Sequence, residues 1–225
     1  MSTPASLFGG GEVPDDVDLN AEVDRLRELR RTRTRLGFGT RPALVVVDLQ
    51  QAFTLSDERR AAPVLEANAA LLAAVRAAGA PVVYTRTFVP SPEEADVRWG
   101  ATQDLSQFLP GSPAAEIDDR ITTEPGETVI DKPHASAFFR TGLHERLTEL
   151  GVNTVLITGT SLSGCVRATA VDASAYQYRA VLVEDCSYDP RTFSREAALW
   201  DLADRYADVV SLAETLEYLA GLPRT

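Results

Sequence analysis

The stretch NTVLITGTSLSGCVRATAVDASAYQY, residues 153–178, decides the fold. It opens on an apolar run, NTVLITG (153–159), without polar alternation. That is the pattern of a strand buried on both faces of a parallel sheet. A Gly/Ser/Thr-rich turn, TSLSG, spans 160–164, and a helical pattern, GCVRATAVDASAYQY, runs over 164–178. A buried strand turning directly into a helix is half of a βαβ unit.

The same alternation extends outward in both directions. ALVVVD (43–48), PVVYTRTF (81–88), TVID (128–131), AVLVED (180–185) and DVVSL (208–212) read as further strands. Helical patterns fall at 64–79, with Gly79 as a stop, at 141–151, near 193–206, and in a short segment at the end. The expectation is an α/β protein of Rossmann type. It has three layers: a mostly parallel sheet of about six strands with helices on both faces. Residues 18–35 predict a further helix, with Leu19, Val23, Leu26 and Leu29 at helical spacing. Its arginine-rich face reads as solvated rather than docked on an acidic neighbour. Residues 1–16 read as an arm, so 1–40 is arm and helix and 41–225 is the main domain. Segment 89–127, with prolines at 90, 92, 110 and 113, is too long for a simple connection. Such a loop serves as a lid or a subunit contact. No internal repeat is visible.

The 225-residue chain has a formal net charge of −11. That excludes nucleic acid and anionic membrane surfaces as main partners, because both need basic patches. The start, MSTPASLFGGGEVPDD, lacks a signal-peptide pattern, and no apolar run reaches membrane-spanning length. The expectation is a cytoplasmic protein whose cysteines, Cys165 and Cys186, are reduced thiols.

Lys132 is the single lysine beside 21 arginines. Lysine is a compact point charge whose pKa moves on burial, whereas arginine keeps a wide planar fork. In open α/β sheets, ligands bind beyond the carboxyl ends of the strands. Asp48 closes the first strand, Lys132 closes the third, and Cys165 opens the helix after NTVLITG. Singly, Asp48 reads as a turn or cap residue, and a buried cysteine as a small hydrophobe. Together they suggest a nucleophilic site. A helix N-terminus lowers a thiol's pKa. Asp48 would take the proton of Cys165, Lys132 would hold both by charge, and N–H groups around Ser161–Cys165 would stabilise an oxyanion. Cys186, in EDCSYDP, reads as structural. His144 reads as an exposed helix position, and His134 as lining the pocket or facing solvent. Arg86, Arg167 and Arg191 are candidates to grip a substrate carboxylate by two parallel hydrogen bonds, and each is equally a surface arginine. Phe53, Trp99, Phe138 and Tyr188 are candidates for an apolar wall, with Phe53 and Phe138 equally suited to the core.

The set VVVDLQQAF (45–53), KPHASAFF (132–139), GTSLSGCVRATAVDA (159–173) and VEDCSYD (183–189) resembles the isochorismatase-like cysteine hydrolases. The likeness runs from about residue 38 to 220. SGCVRAT and ASAFF are most similar to the N-carbamoylsarcosine amidase and maleamate amidase branch. The resemblance implies Asp48 as base, Lys132 as electrostatic partner and Cys165 as nucleophile, with a cis peptide at Ser161–Leu162. It implies cleavage of a small carboxamide or N-carbamoyl compound through a thioester-type intermediate, without a cofactor, in a homodimer or homotetramer. Gln50, two residues past Asp48, belongs to the motif and is counted with the substrate-binding residues. Three departures stand out. Segment 89–115 lacks the histidines of the nicotinamidase metal site, so no metal is expected. Leu162 stands where threonine is usual, placing an apolar group beside the oxyanion. Arg140 replaces an expected glycine, and Arg195 a frequent histidine. Two other readings stay open: vinyl-ether hydrolysis of the isochorismate type, which does not need the cysteine, and a non-catalytic binding or scaffold protein.

Overall fold

Pro42–Val47 (β1) is buried along its whole length, as an unbroken apolar run requires. In the computed structural model, which describes residues 18–91, 93 and 105–223, it lies at the centre of the sheet. Val82–Thr87 (β2) and Thr128–Lys132 (β3) extend the sheet to one side. Thr154–Gly159 (β4), Arg179–Ser187 (β5) and Asp208–Val210 (β6) extend it to the other. The order is β3-β2-β1-β4-β5-β6, and every pairing is parallel. The chain reverses its direction of travel between β1 and β4, which opens a crevice at their carboxyl ends.

Alternate residues of β1 feed two separate cores. Ala43, Val45 and Val47 pack with Leu143, Leu147, Val166, Ala170, Leu199 and Leu202. Leu44 and Val46 pack with Leu65, Leu71, Leu72, Val75 and Leu219 on the opposite face. Each fully buried Val or Leu is worth about 1.5–3 kcal/mol relative to exposure, so helices on both faces are needed to cover this sheet. The first core is closed by Leu143–Glu149, Arg167–Ala175 and Thr192–Arg205, and the second by Glu58–Ala77 and Leu212–Ala220. With Leu19–Arg31 as α1 and the short Gln51–Thr54 as α2, these helices are α3 (Glu58–Ala77), α4 (Leu143–Glu149), α5 (Arg167–Ala175), α6 (Thr192–Arg205) and α7 (Leu212–Ala220).

Two elements differ from the sequence reading. Helix α3 starts at Glu58 and runs through Pro63, not from residue 64. Pro63 is exposed, so its ring points to solvent. The arginine face of α1 is only partly solvated: Arg25 and Arg31 stay exposed, whereas others reach acids of the same chain. Arg27 meets Glu196 at 3.2 Å, and Arg30 meets Glu184 at 2.8 Å. Glu196 is buried on α6 of the same chain, with Arg195 also on it at 2.8 Å. Burial pushes its carboxyl up, but the neighbouring arginines pull it further down, below the usual range. Of the 89–127 segment, the described part from residue 105 holds three short 3₁₀ turns. No helix among the described residues is long and apolar enough to cross a membrane.

Candidate active site

Gly159 lets the ends of β1 and β4 meet. Its φ is +122°, and a Cβ there would lie 1.9 Å from the Val47 carbonyl oxygen. Only glycine fits so close an approach. Asp48 follows Val47 directly, with φ at 51°, a left-handed conformation that aspartate tolerates better than most residues. The carboxylate is thereby turned back over the strand ends.

Asp48 and Lys132 form a fully buried ion pair, with Nζ 2.6 Å from Oδ2. Lys132 stands at the end of β3, two strands from β1, a separation of about 10 Å. A long side chain is needed to cross the end of β2. That strand end supplies two more bonds. The hydroxyl of Thr85 donates to Asp48 Oδ1 at 2.7 Å, and that of Thr87 to Oδ2 at 3.1 Å. Lys132 also donates to the His134 carbonyl at 3.0 Å. An ammonium has three donors, and the one left over is available to Cys165, whose thiol interacts with both Lys132 and Asp48. Burial lowers the Lys132 pKa, but its neighbours, the Asp48 carboxylate foremost, raise it by more, so it stays an ammonium. Breaking such a pair costs about 3–5 kcal/mol, because the remaining charge is stranded.

The Cys165 thiol is not acidified as its place at a helix start suggested. Burial, and then the charge of Asp48, push it up to about 12, against a smaller downward pull from Lys132. Burial is the first cause, and the turn offers the sulfur few free donors to oppose it. Leu162–Val166 is a π-helical turn, and four of its five amides are already used. Leu162 N–H donates to the Tyr188 carbonyl (2.9 Å) and Ser163 N–H to Asp189 (2.9 Å). The N–H groups of Gly164 and Val166 share the Ser161 carbonyl, at 2.9 and 3.2 Å. Free N–H groups, not the helix as such, stabilise a thiolate. The non-proline cis peptide is Thr160–Ser161, one residue before the expected Ser161–Leu162. Leu162 is wholly buried in the first core, so it presents no apolar group to the site.

Cys165 opens onto a cavity of about 370 Å³. Thr87, Ser161, Ser163 and Gly164 line it on the polar side. Phe53, Leu105, Phe108 and Ala135 form the apolar wall, where the rings of Phe53 and Phe108 lie 5.2 Å apart. Arg191 lines it as well, with its side chain 73% exposed.

Other candidates lie elsewhere. Gln50 is a buried brace: its amide nitrogen donates to the Thr87 and Ala115 carbonyls (3.0 and 2.6 Å), and its oxygen accepts from Thr87 N–H (2.8 Å). With its polar atoms so used, it does not line the cavity. Arg86 is committed to Asp131 (2.7 Å) and Glu116 (2.8 Å), and Arg167 to Asp201 (3.1 Å). Phe138 is core, against Tyr176 and Tyr178. Tyr188 is buried in the second core, away from the wall. His144 is half-buried, stacked on Tyr176 and bonded to Tyr178 at 3.0 Å. His134 is half-buried, its ring edge-on to Phe139. Trp99 lies outside the described residues. Arg140, where the resemblance expected glycine, does adopt a left-handed φ of 56°. Among the described residues, no three His, Cys, Asp or Glu side chains converge as a metal-ligand group.

Sequence reasoning missed Thr85, Thr87, Leu105, Phe108 and Asp189. The two threonines had a signal: residues two apart in a strand share one face, here the one opposite Arg86. Leu105 and Phe108 come from the long loop, where no periodicity points to a cavity.

The chain matches the family model described as an Isochorismatase domain over residues 42–214. It is 36% identical over 194 residues to the maleamate amidohydrolase of Pseudomonas putida, covering 84% of this chain and 91% of that protein. It is 32% identical over 208 residues to an N-carbamoylsarcosine amidase of Arthrobacter, covering 87% and 77%. The solved N-carbamoylsarcosine amidase from Thermoplasma acidophilum matches with a TM-score of 0.63 at 29% identity, over 76% of this chain and 96% of that one.

Proposed function

Because the chain belongs to the isochorismatase family, we propose that it is a cysteine-dependent amidohydrolase of small carboxamides or N-carbamoyl compounds that carry a carboxylate. The observation that carries this reading is the buried Lys132–Asp48 pair beside a cavity-lining thiol.

At rest the thiol keeps its proton, since it titrates at about 12. Attack therefore needs a base at the moment of reaction. Asp48 takes the S–H proton as Cys165 Sγ bonds to the amide carbon, and Lys132 steadies the thiolate character that passes through sulfur before the charge moves to oxygen. The carbonyl oxygen becomes an oxyanion. Its donors are the Ser161 and Cys165 amides, because the Leu162, Ser163, Gly164 and Val166 amides are committed. The C–N bond breaks, and the nitrogen leaves as ammonia or amine with the proton from Asp48. Water then gives a proton to Asp48 and attacks the thioester or thiocarbamate. The C–S bond breaks, and the thiol recovers its proton. Arg191 suits the substrate carboxylate: it is the one of the three candidate arginines that lines the cavity, and among the described residues its ion-pair partner, Asp189, is 3.9 Å away. Both cysteines are free, in keeping with a reducing cytoplasmic setting.

The test is ammonia release from a panel that includes maleamate, N-carbamoylsarcosine and their uncharged analogues. Release from a carboxylate-bearing member is expected. Full retention of that release in Cys165→Ala would sink the proposal.

A further inference from the structure

The proposed reaction makes no use of Asp189, a fully buried carboxylate in the loop between β5 and α6. Arg191 is its cationic neighbour, at 3.9 Å and mostly exposed, so that pairing is long and screened. Hydrogen bonds satisfy the carboxylate instead. Ser163 donates to Oδ2 twice, from its amide at 2.9 Å and its hydroxyl at 2.5 Å. The Arg191 amide donates to Oδ1 at 3.0 Å. Ser163 lies two residues ahead of Cys165 in the same turn, and Arg191 is the cation lining the cavity among the described residues. One carboxylate thus holds the backbone of the nucleophile and the backbone of the anion anchor together.

Neighbouring contacts do not need it. Tyr188 N–H donates to the Gly159 carbonyl at 3.1 Å, and Leu162 N–H to the Tyr188 carbonyl at 2.9 Å. The loop and turn are therefore stitched without Asp189, whose own contribution falls on Ser163 and Arg191. A carboxylate suits this place because it only accepts. An asparagine would aim an N–H at one of these donors and leave a buried amide without a partner.

We infer that Asp189 is a positioning residue that sets the separation between the Cys165 thiol and the Arg191 guanidinium. It thereby selects amides whose reacting carbon lies at one distance from their carboxylate. The selectivity rests on the amidase reading; the effect on the thiol does not.

The test uses the full chain with Asp189→Asn and the milder Ser163→Ala. Two readouts are taken. One is the iodoacetamide alkylation rate of Cys165, with Cys186 as internal control. The other is kcat and KM for two amides alike in the reacting group, one with a carboxylate and one with its methyl ester. Asp189→Asn is expected to change the Cys165 rate several-fold while leaving Cys186 alone. It should lower kcat for the carboxylate-bearing amide by up to roughly 10²-fold, the scale of a 1 Å misplacement, and shrink its preference over the ester. Ser163→Ala should move both readouts the same way by less. In an Arg191→Ala background, Asp189→Asn should no longer alter the preference. Unchanged alkylation together with equal losses on both amides, in folded protein, would overturn the inference. If Asp189→Asn does not fold, Ser163→Ala decides on the same readouts. If the wild type cleaves no amide, the amidase reading fails, and alkylation alone still judges Asp189.

Discussion

Cys165 and Cys186 make a controlled pair. They lie at the carboxyl ends of adjacent strands, β4 and β5, both buried and both free. Burial pushes both thiols up, Cys165 to about 12 and Cys186 further. An acidic thiol is therefore not what separates them. Cys165 has a buried carboxylate and an ammonium against it and a cavity in front. Cys186 has Asp185, a like charge, and apolar neighbours beneath α3 such as Leu65. What distinguishes Cys165 is its partners rather than its resting pKa.

The strongest way to break the comparison is to delete each thiol in turn. Cys165→Ala should lower turnover by at least about 10⁴-fold, the scale of removing a covalent nucleophile. Cys186→Ala should keep turnover and cost about 1–2 kcal/mol of stability for the lost packing. Steady-state kinetics and urea midpoints check both. Equal losses of activity would erase the distinction between the sites.

A second experiment changes the partner and spares both thiols. Lys132→Arg conserves charge but replaces a point ammonium with a planar fork in a space that is wholly buried. Turnover should fall by roughly 10²–10³-fold, comparable to losing one preorganised electrostatic donor. A thermal melt should accompany the assay, so that misfolding is not read as lost chemistry. Activity within a few-fold of wild type would show that Lys132 serves only the fold.

The smallest expected effect is on stability at alkaline pH. Native Cys165 holds its proton up to about 12, whereas an unfolded thiol releases it near the ordinary value of 9.0. Between these values the native state binds more protons, so stability falls as pH rises, with no effect below the unfolded value. Cys165→Ser should flatten that fall, and Cys186→Ser should do so too, because both thiols are raised. Urea midpoints at several pH values between 8 and 11 measure it. A slope that neither substitution changes would mean that the thiols are not shielded from solvent.

Much of this was legible along the chain, for identifiable reasons. Buried parallel strands are written as apolar runs, so ALVVVD and NTVLITG announced β1 and β4, and the ends of such strands are where ligands bind. That sufficed to single out Asp48, Lys132 and Cys165. The substrate-side residues were poorly legible. Arg86, Arg167, Phe138 and Gln50 have suitable chemistry, but a side chain's direction depends on neighbours distant in sequence. Arg86 turns to Asp131 and Glu116, and Gln50 to the carbonyls of Thr87 and Ala115. The apolar pattern placed this helix at 64–79, whereas α3 starts at Glu58 and carries the exposed Pro63 inside it.

The sequence by itself therefore determined the layered α/β architecture, the three strand-end groups and the family, because periodicity and short motifs are local properties of a chain. Tertiary structure decided that the lone lysine crosses β2 to reach Asp48. It also decided that Thr85 and Thr87 brace that carboxylate, that most amides of the turn at Cys165 already have acceptors, and that Asp189 ties Ser163 to Arg191. These depend on distances between segments far apart in sequence, and on which donors remain unused once the chain is packed. No pattern along the chain encodes either directly.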